Sequence, residues 1–501
     1  MIQKLQVPAI LLLAALLIVV VTAALAFRLL PTGVPGEWEW NRLADWATLQ
    51  WDGLAIAALG VAAYSAFAAL GFRALSVKRS HMFELASLIG LFFASLCIQV
   101  IIPMGAPSGY DLAKWASVNY LPGSSGYFQI ARQNAAPNPW KFLADYPDWI
   151  RTQDVFHIGT HPPGLIVAQC LLLRAMDQNP GMRNALLDHM PPSVAAAFRV
   201  FGNPAPRPLT RAEQAALYAT ALLTLLACAG TVVPLYWLAR AALPAHASWA
   251  AAALWPVAPC ANLFQPVADT AYPLLSTTAL ALAVWSVRSA QSQRPLKAAR
   301  LLLAFASGIV MAFGMSFTLA FLPVGLIVAL AVIGNTSAPL KMRALLILAI
   351  GAGFSAVLAG GWLLSGANPF VIGSWNLKHH AEFYLEYPRS YWKWLWVNAV
   401  EMAIAIGIPA AIWCSLGYRH WRQVPLSSRF TLLVLALVNL TGRNMGEVAR
   451  LWMLFIPPLL LASGVGIDRS GARPAAVGVT AALLGAQTLA LESLIQVVYP
   501  V

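Results

Sequence analysis

Residues 8–30 read PAILLLAALLIVVVTAALAFRLL, an apolar run from Pro8 to Leu30 with one charge, Arg28, close to its end. A helix rising 1.5 Å per residue covers the roughly 30 Å hydrocarbon core of a bilayer with about 20 such residues. Lys4 ahead of the run gives it the look of a secretory signal. It is too long for a typical signal core, however, and no small-residue cleavage site follows at Arg28-Leu29-Leu30-Pro31, so it reads as a first membrane helix. Comparable runs recur at 52–75, 82–104, 213–238, 247–262, 269–287, 299–314, 316–334, 343–365, 394–416, 430–441, 451–467 and 474–498. Over 501 residues, 59% are hydrophobic and only 10% charged, with a mean hydropathy of +0.69; soluble chains carry about 25% charged residues. The runs are continuous, without the alternation of a membrane β-barrel, and backbone groups in lipid must be satisfied internally. The expected fold is therefore an all-α polytopic membrane protein of about thirteen transmembrane helices.

Lys and Arg number 32 against 19 Asp and Glu, a net charge of +13. No separate basic domain accompanies that excess, which excludes nucleic acid as a partner; basic residues that flank membrane helices mark cytoplasmic loops and attract anionic headgroups. Four clusters serve this purpose: Arg73, Lys78 and Arg79; Arg288, Arg294, Lys297 and Arg300; Lys341 and Arg343; Arg419, Arg422 and Arg429. Loops 31–51, 105–161, 366–393 and 442–450 then fall on the non-cytoplasmic side. A crossing at His161–Met176 would upset this parity, and the segment is short, so a partial or tilted helix is expected there. The five cysteines, Cys97, Cys170, Cys228, Cys260 and Cys414, are scattered through apolar runs and read as buried free thiols. No repeat or low-complexity linker divides the chain.

Chemistry concentrates in the outer loops. Loop 105–161 is the longest and holds Asp111, Lys114, Arg132, Asp145, Asp148, Arg151, Asp154 and His157; structured loops of that length usually carry function. It ends in Gly159-Thr160-His161-Pro162-Pro163-Gly164. Two prolines suit a helix's first turn and forbid helix before it, so the motif is a rigid hinge that holds His161 at the interface, either as a functional group or as a cap for the turn. Loop 366–393 carries Lys378, His379 and His380 among aromatics that fit an interface belt or a substrate surface equally well. Trp38, Trp40, Trp46 and Trp51 read as belt. The stretch Gly442-Arg443-Asn444-Met445-Gly446-Glu447-Val448-Ala449-Arg450 places Glu447 and Arg450 three apart, where a helix would pair them. Ionisable residues at a membrane edge cost energy and usually face a cavity. An Arg fork there matches the oxygens of a lipid phosphate, and Arg443 is a further candidate.

The combination resembles the GT-C superfamily of membrane glycosyltransferases, which includes protein mannosyltransferases and lipid A aminoarabinose transferases. Gly126-Tyr127-Phe128-Gln129-Ile130-Ala131-Arg132 resembles the family's aromatic-Ala-Arg stretch, and His161-Pro162-Pro163 its helix start. Pro266-Val267-Ala268-Asp269-Thr270 resembles a later outer acidic turn, and Glu447 to Trp452 a Glu-x-x-Arg element of bacterial relatives. The likeness spans roughly 82–335, leaving 1–80 as two additional amino-terminal helices and 336–501 as carboxy-terminal ones. One departure stands out: the acidic residue expected before the Tyr-aromatic element is replaced by Ser124-Ser125-Gly126. The catalytic carboxylate therefore falls to Asp111 first and Asp154 second, with Asp145 and Asp148 behind.

What the resemblance implies is a polyprenyl-phosphate sugar as donor, a lipid or glycan as acceptor, inversion at the anomeric carbon, and an active site outside a bacterial inner membrane. A carboxylate, with His161 beside it, would take the acceptor's proton, and a cation would stabilise the leaving phosphate. The substrate-binding candidates are Tyr127, Arg132, His157, Asp269, Lys378, His379, Arg443, Glu447 and Arg450. No cofactor is expected: two acids with His157 or His161 could gather round a divalent metal, but no spacing is specific enough to call for one. The rival readings are a transporter or lipid flippase, which would carry charge near the midplane of two related halves, and a polysaccharide ligase or polymerase, which differs mainly in acceptor.

Overall fold

The computed structural model describes residues 2–42, 46–202, 208–288 and 297–496. Arg294 of the second basic cluster and the last residues of the expected 474–498 span lie outside them. The described chain is α-helical with two pairs of two-residue strands, Gly33–Val34 with Trp38–Glu39 and Asn41–Arg42 with Ile495–Gln496. Eight helices among the described residues are long and apolar enough to cross a membrane: Val7–Ala26, Trp51–Leu75, His81–Gly105, Arg211–Arg240, Ala268–Arg288, Ala298–Met315, Leu340–Ser365 and Pro474–Leu494. Their outward faces carry exposed Leu, Ile, Val and Phe, such as Leu12, Val19, Leu59 and Leu348, as a protein embedded in a membrane requires.

The other five expected spans are bent, broken or short. Tyr391–Ile406 and Ile408–Tyr418 meet at 106°, because Gly407 at φ +95° turns the chain and Pro409 supplies no donor to continue the helix. Counted as one span, this pair makes nine. Pro256 and Pro259 divide 247–262 into Ala245–Leu254, a turn at Trp255–Val257 and Pro259–Leu263. Phe321–Ile333, Leu426–Leu440 and Ile456–Arg469 have 13, 15 and 14 residues, and at 1.5 Å per residue they cover only about 20 Å. The His161–Met176 segment forms Gly164–Gln178, which is 15 residues long and not among the candidate spans.

Close backbone approach holds the bundle together. Gly308 and Gly353 meet reciprocally where Lys297–Met315 crosses Leu340–Ser365: a Cβ on either would strike a backbone carbonyl of the other helix, that of Ile350 or Phe305. Gly417 and Gly466 do the same against Ala462 and Trp413. Hydrocarbon provides little hydrophobic drive between helices, so small residues and interhelical hydrogen bonds carry the association. Examples are Trp249 Nε1 to Ala68 O (2.9 Å), Ser276 Oγ to Leu454 O (2.8 Å), Ser307 Oγ to Ala279 O (2.8 Å) and Thr488 Oγ1 to Val257 O (2.7 Å). The first helices pack on the last, with Gly485 lying over Val61. All five cysteines are free, but Cys97 departs from expectation: it faces outward from its helix, while the other four are buried.

Segment 105–161 is ordered. Asn138 caps the helix Pro139–Trp149 by accepting from Lys141 N at 3.1 Å. The buried pair Lys114–Glu492 (3.3 Å) ties the segment to the end of the last helix.

Candidate active site

Where segment 105–161 meets the bundle lies a narrow cleft with a cavity volume of about 20 Å³, room for about one water. Ser124, Ser125, Tyr127, His157, His161, Leu165, Val267, Ala268, Asp269, Tyr272, Arg450 and Leu451 form its wall, drawn from four separate stretches of sequence. Gly126, at φ +77°, turns the chain so that a new helix begins at Tyr127 and directs this ring inward. The rings of Tyr127 and His161 meet edge to face at 6.0 Å.

The hinge behaves as its prolines dictate. His161 is extended (φ −121°, ψ 146°), and helix resumes at Gly164 immediately after Pro162 and Pro163. Its carbonyl accepts from Tyr146 Oη at 3.1 Å and from Asn376 Nδ2 at 3.1 Å, while Gly164 N donates to Ser316 O at 3.0 Å. His379 is buried and its Nδ1 donates to Gly159 O at 3.0 Å, so it braces the hinge from the Pro369–Glu386 helix and does not face the cleft. His161 Nδ1 lies 3.0 Å from the carbonyl of His157. A carbonyl can only accept, so the proton sits on Nδ1 and Nε2 keeps its lone pair.

Burial, with the Arg450 charge adding to it, pushes the His161 imidazole down to about 4 and that of His157 down to about 3. Both rings are neutral at pH 7. A histidine held neutral in the fold while the unfolded chain titrates near 6.5 binds fewer protons folded than unfolded between those values, so stability is lost as pH falls through that window. His161 alone should cost roughly 3 kcal/mol by pH 4. Thermal unfolding in detergent from pH 7 to 4 is expected to show this slope, flattened in a His157→Asn, His161→Asn double variant; an unchanged slope would count against neutral burial of the pair.

Arg450 is the cation of the cleft. Its Nη2 donates to Glu447 Oε2 at 2.7 Å, the pairing their spacing suggested, although not within one regular helix. Glu447 sits at φ +58°, a left-handed conformation, and only the single turn Val448–Leu451 follows it. Burial opposes the Arg450 charge, but the carboxylates of Glu447 and Asp269 outweigh it and raise the guanidinium above its usual value. Arg450 Nε is buried without a hydrogen-bond partner. Arg183, Arg343 and Arg389 bury an Nε in the same way outside the cleft, so such a donor is open to a water or to a ligand atom.

Of the residues singled out from sequence, Tyr127, His157, His161, Asp269 and Arg450 come together here, with Glu447 bound to Arg450. The remaining candidates stand elsewhere. Asp111 accepts from Ala113 N (2.8 Å) and Gln50 Nε2 (3.3 Å), ordering the turn before Lys114. Asp154 is exposed and caps the next turn by accepting from Phe156 N at 2.9 Å. Lys378 is exposed, 4.3 Å above the Trp375 ring and 3.8 Å from Glu382; Arg443 is exposed as well. Arg132 pairs with Glu213 at 2.7 Å, both nearly buried, and Glu213 closes a capping box with Thr210. Breaking a buried pair by removing one partner typically costs about 3–5 kcal/mol. Arg132→Ala should lower thermal stability in detergent by that order; full stability in this variant would count against a structural role for the pair.

Sequence reading missed Ser124, Ser125 and Tyr272. The two serines occupy the place where the resemblance calls for an acid, and they do line the cleft, with hydroxyls in place of a carboxylate. Tyr272 was legible only as a residue three beyond Asp269. Trp46 and Trp51 are exposed as a belt would be, but Trp38 and Trp40 meet edge to face at 4.3 Å and pack on Trp394 (6.3 Å) and Phe264 (5.3 Å). Among the described residues, no group of three or more His, Cys, Asp or Glu could hold a metal ion. No family model and no curated protein matches the chain.

Proposed function

We propose that the protein is an integral membrane glycosyltransferase that moves a sugar from a polyprenyl-phosphate donor to a lipid or glycan acceptor. The observation that carries this reading is the convergence of Arg450, with its unspent Nε donor, and Asp269 on one narrow cleft at the end of an apolar bundle. Arg450 binds the donor phosphate, exchanging part of its bond to Glu447 for phosphate oxygens. Asp269 accepts the proton of the acceptor hydroxyl or amine as it attacks the anomeric carbon. The new bond joins acceptor to anomeric carbon, the bond from that carbon to the phosphate oxygen breaks, and polyprenyl phosphate departs with the electron pair beside Arg450. His161, through Nε2, and the Ser124 and Ser125 hydroxyls orient the sugar.

A route for the prenyl chain supports the same reading. Tyr272, in the cleft wall, meets Phe317 and Phe321 at ring distances of 6.4 Å. Phe321 opens an apolar groove of about 260 Å³ between helices, lined by Met311, Met315, Val328, Ile350 and Phe354. In this proposal the membrane is the inner membrane of a bacterium and the cleft faces the periplasm, as the basic clusters at the opposite helix ends favour. The 106° break at Gly407 favours a second reading, a transporter or flippase, since transporters build their sites on discontinuous helices.

The deciding experiment supplies the purified protein with radiolabelled polyprenyl-phosphate sugars and extracted membrane lipid or glycan. Label transferred to acceptor supports the enzyme. Label that crosses a vesicle bilayer without changing its covalent partner would replace it with the transporter, and the acceptor that becomes labelled separates a transferase to lipid from a polysaccharide ligase.

A further inference from the structure

Glu401 attracted no notice in the sequence, where it is a lone acid in Trp396-Val397-Asn398-Ala399-Val400-Glu401-Met402. In the fold it lies behind the turn that carries Arg450. Helix Tyr391–Ile406 presents Asn398 and Glu401, three apart and so on one face, to this turn. Asn398 donates to Asn444 O (2.8 Å) and accepts from Gly446 N (3.0 Å). Glu401 Oε1 accepts from Ala449 N at 3.1 Å and from Trp40 Nε1 at 3.2 Å. Tyr384 Oη accepts from Met445 N at 2.9 Å, and Arg389, surrounded by the rings of Trp38, Phe383 and Trp394, donates to Met445 O.

The turn needs such support. A non-glycine residue in the left-handed region costs on the order of 1–2 kcal/mol, and Glu447 provides no side-chain cap for the single turn that follows it. Without an external acceptor the amide of Ala449, which is buried, would be left unsatisfied. An ionisable side chain within a membrane helix is costly to keep. This one lends a carboxyl oxygen to the main chain next to Arg450, while Glu447 and Asp269 occupy the field of the guanidinium itself.

We infer that Glu401 is the positioning residue for Arg450: by capping the Val448–Leu451 turn from a neighbouring helix, it directs the guanidinium into the cleft toward the donor phosphate. The structural part of this inference stands on hydrogen bonds alone; the functional part rests on the glycosyltransferase reading.

The full-length protein in detergent allows both parts to be read. Amide exchange over 444–451 is expected to rise roughly tenfold or more in Glu401→Leu, while Glu401→Gln, which keeps an acceptor oxygen, stays within about threefold of wild type. Trp40→Phe, which removes only the other bond to Oε1, should leave this exchange unchanged. In transfer from a polyprenyl-phosphate sugar, Glu401→Leu should raise donor KM at least about tenfold, Glu401→Gln should restore it, and Glu401→Leu should add nothing in an Arg450→Ala background, since residues that act through one another are not additive. If Glu401→Leu fails to fold, Glu401→Asp, one methylene shorter, takes its place in each measurement. Unchanged exchange over 444–451, or an activity loss that adds fully to that of Arg450→Ala, overturns the inference. A wild-type protein that transfers no sugar sinks the glycosyltransferase reading instead, and exchange then decides by itself whether Glu401 holds the turn.

Discussion

Arg450→Ala is expected to lower sugar transfer by roughly 10²–10³-fold, the loss seen when one donor to a developing negative charge is removed from a preorganised site. Arg450 is the cation in the cleft wall, its Nε has no partner in the chain, and Glu447 and Asp269 keep it charged. Removing it would leave those two carboxylates facing an incoming phosphate, so donor binding should weaken together with turnover. Arg450→Lys keeps the charge but loses the planar fork and should recover only part of the rate. Steady-state transfer at matched folded protein measures this. An Arg450→Ala variant that transfers sugar at above about a tenth of the wild-type rate would place the phosphate of the proposed donor elsewhere, with exposed Arg443 and Lys378 next to be examined.

Asp269→Asn should cost roughly 10²–10⁴-fold, the range for loss of a positioned general base. The amide keeps the volume and one acceptor oxygen, so the fold is expected to survive and donor KM to change little; the loss belongs in kcat. Asp111→Asn is the informative contrast. Its carboxylate is engaged with Ala113 N and Gln50 Nε2 outside the cleft, and its variant should stay within about threefold of wild-type transfer, as for substitutions away from a site. A silent Asp269→Asn beside a dead Asp111→Asn would reverse the assignment and imply that the 105–161 segment rearranges when substrate binds.

How much was legible in advance varied with the range of the interaction. Helical membrane architecture follows from hydropathy, a local property, and so does the hinge at His161: two prolines impose their own backbone angles whatever surrounds them. The pairing of Glu447 with Arg450 was legible for the same reason, since their spacing is three. Helix count was read less well, because a run such as 247–262 keeps its hydropathy across Pro256 and Pro259 while its backbone does not stay helical. Cys97 shows the converse: in a membrane an apolar position gains nothing by facing inward, so composition could not say whether it is buried.

Among the carboxylates, sequence favoured Asp111 and Asp154 because they stand in the long polar segment, yet each spends one oxygen on the turn that follows it. Asp269 follows an apolar stretch and showed only its resemblance to an outer acidic turn. Glu401 showed nothing, since its partners Ala449 and Trp40 are remote in the chain. By itself, then, the sequence determined a helical membrane protein with a rigid His-Pro-Pro hinge, because those depend on hydropathy and on backbone angles within a few residues. Which of its acids and cations share a cleft, and which merely cap a turn, only the tertiary structure decided: that depends on contacts between stretches as far apart as Tyr127, Asp269 and Arg450, which no local pattern records.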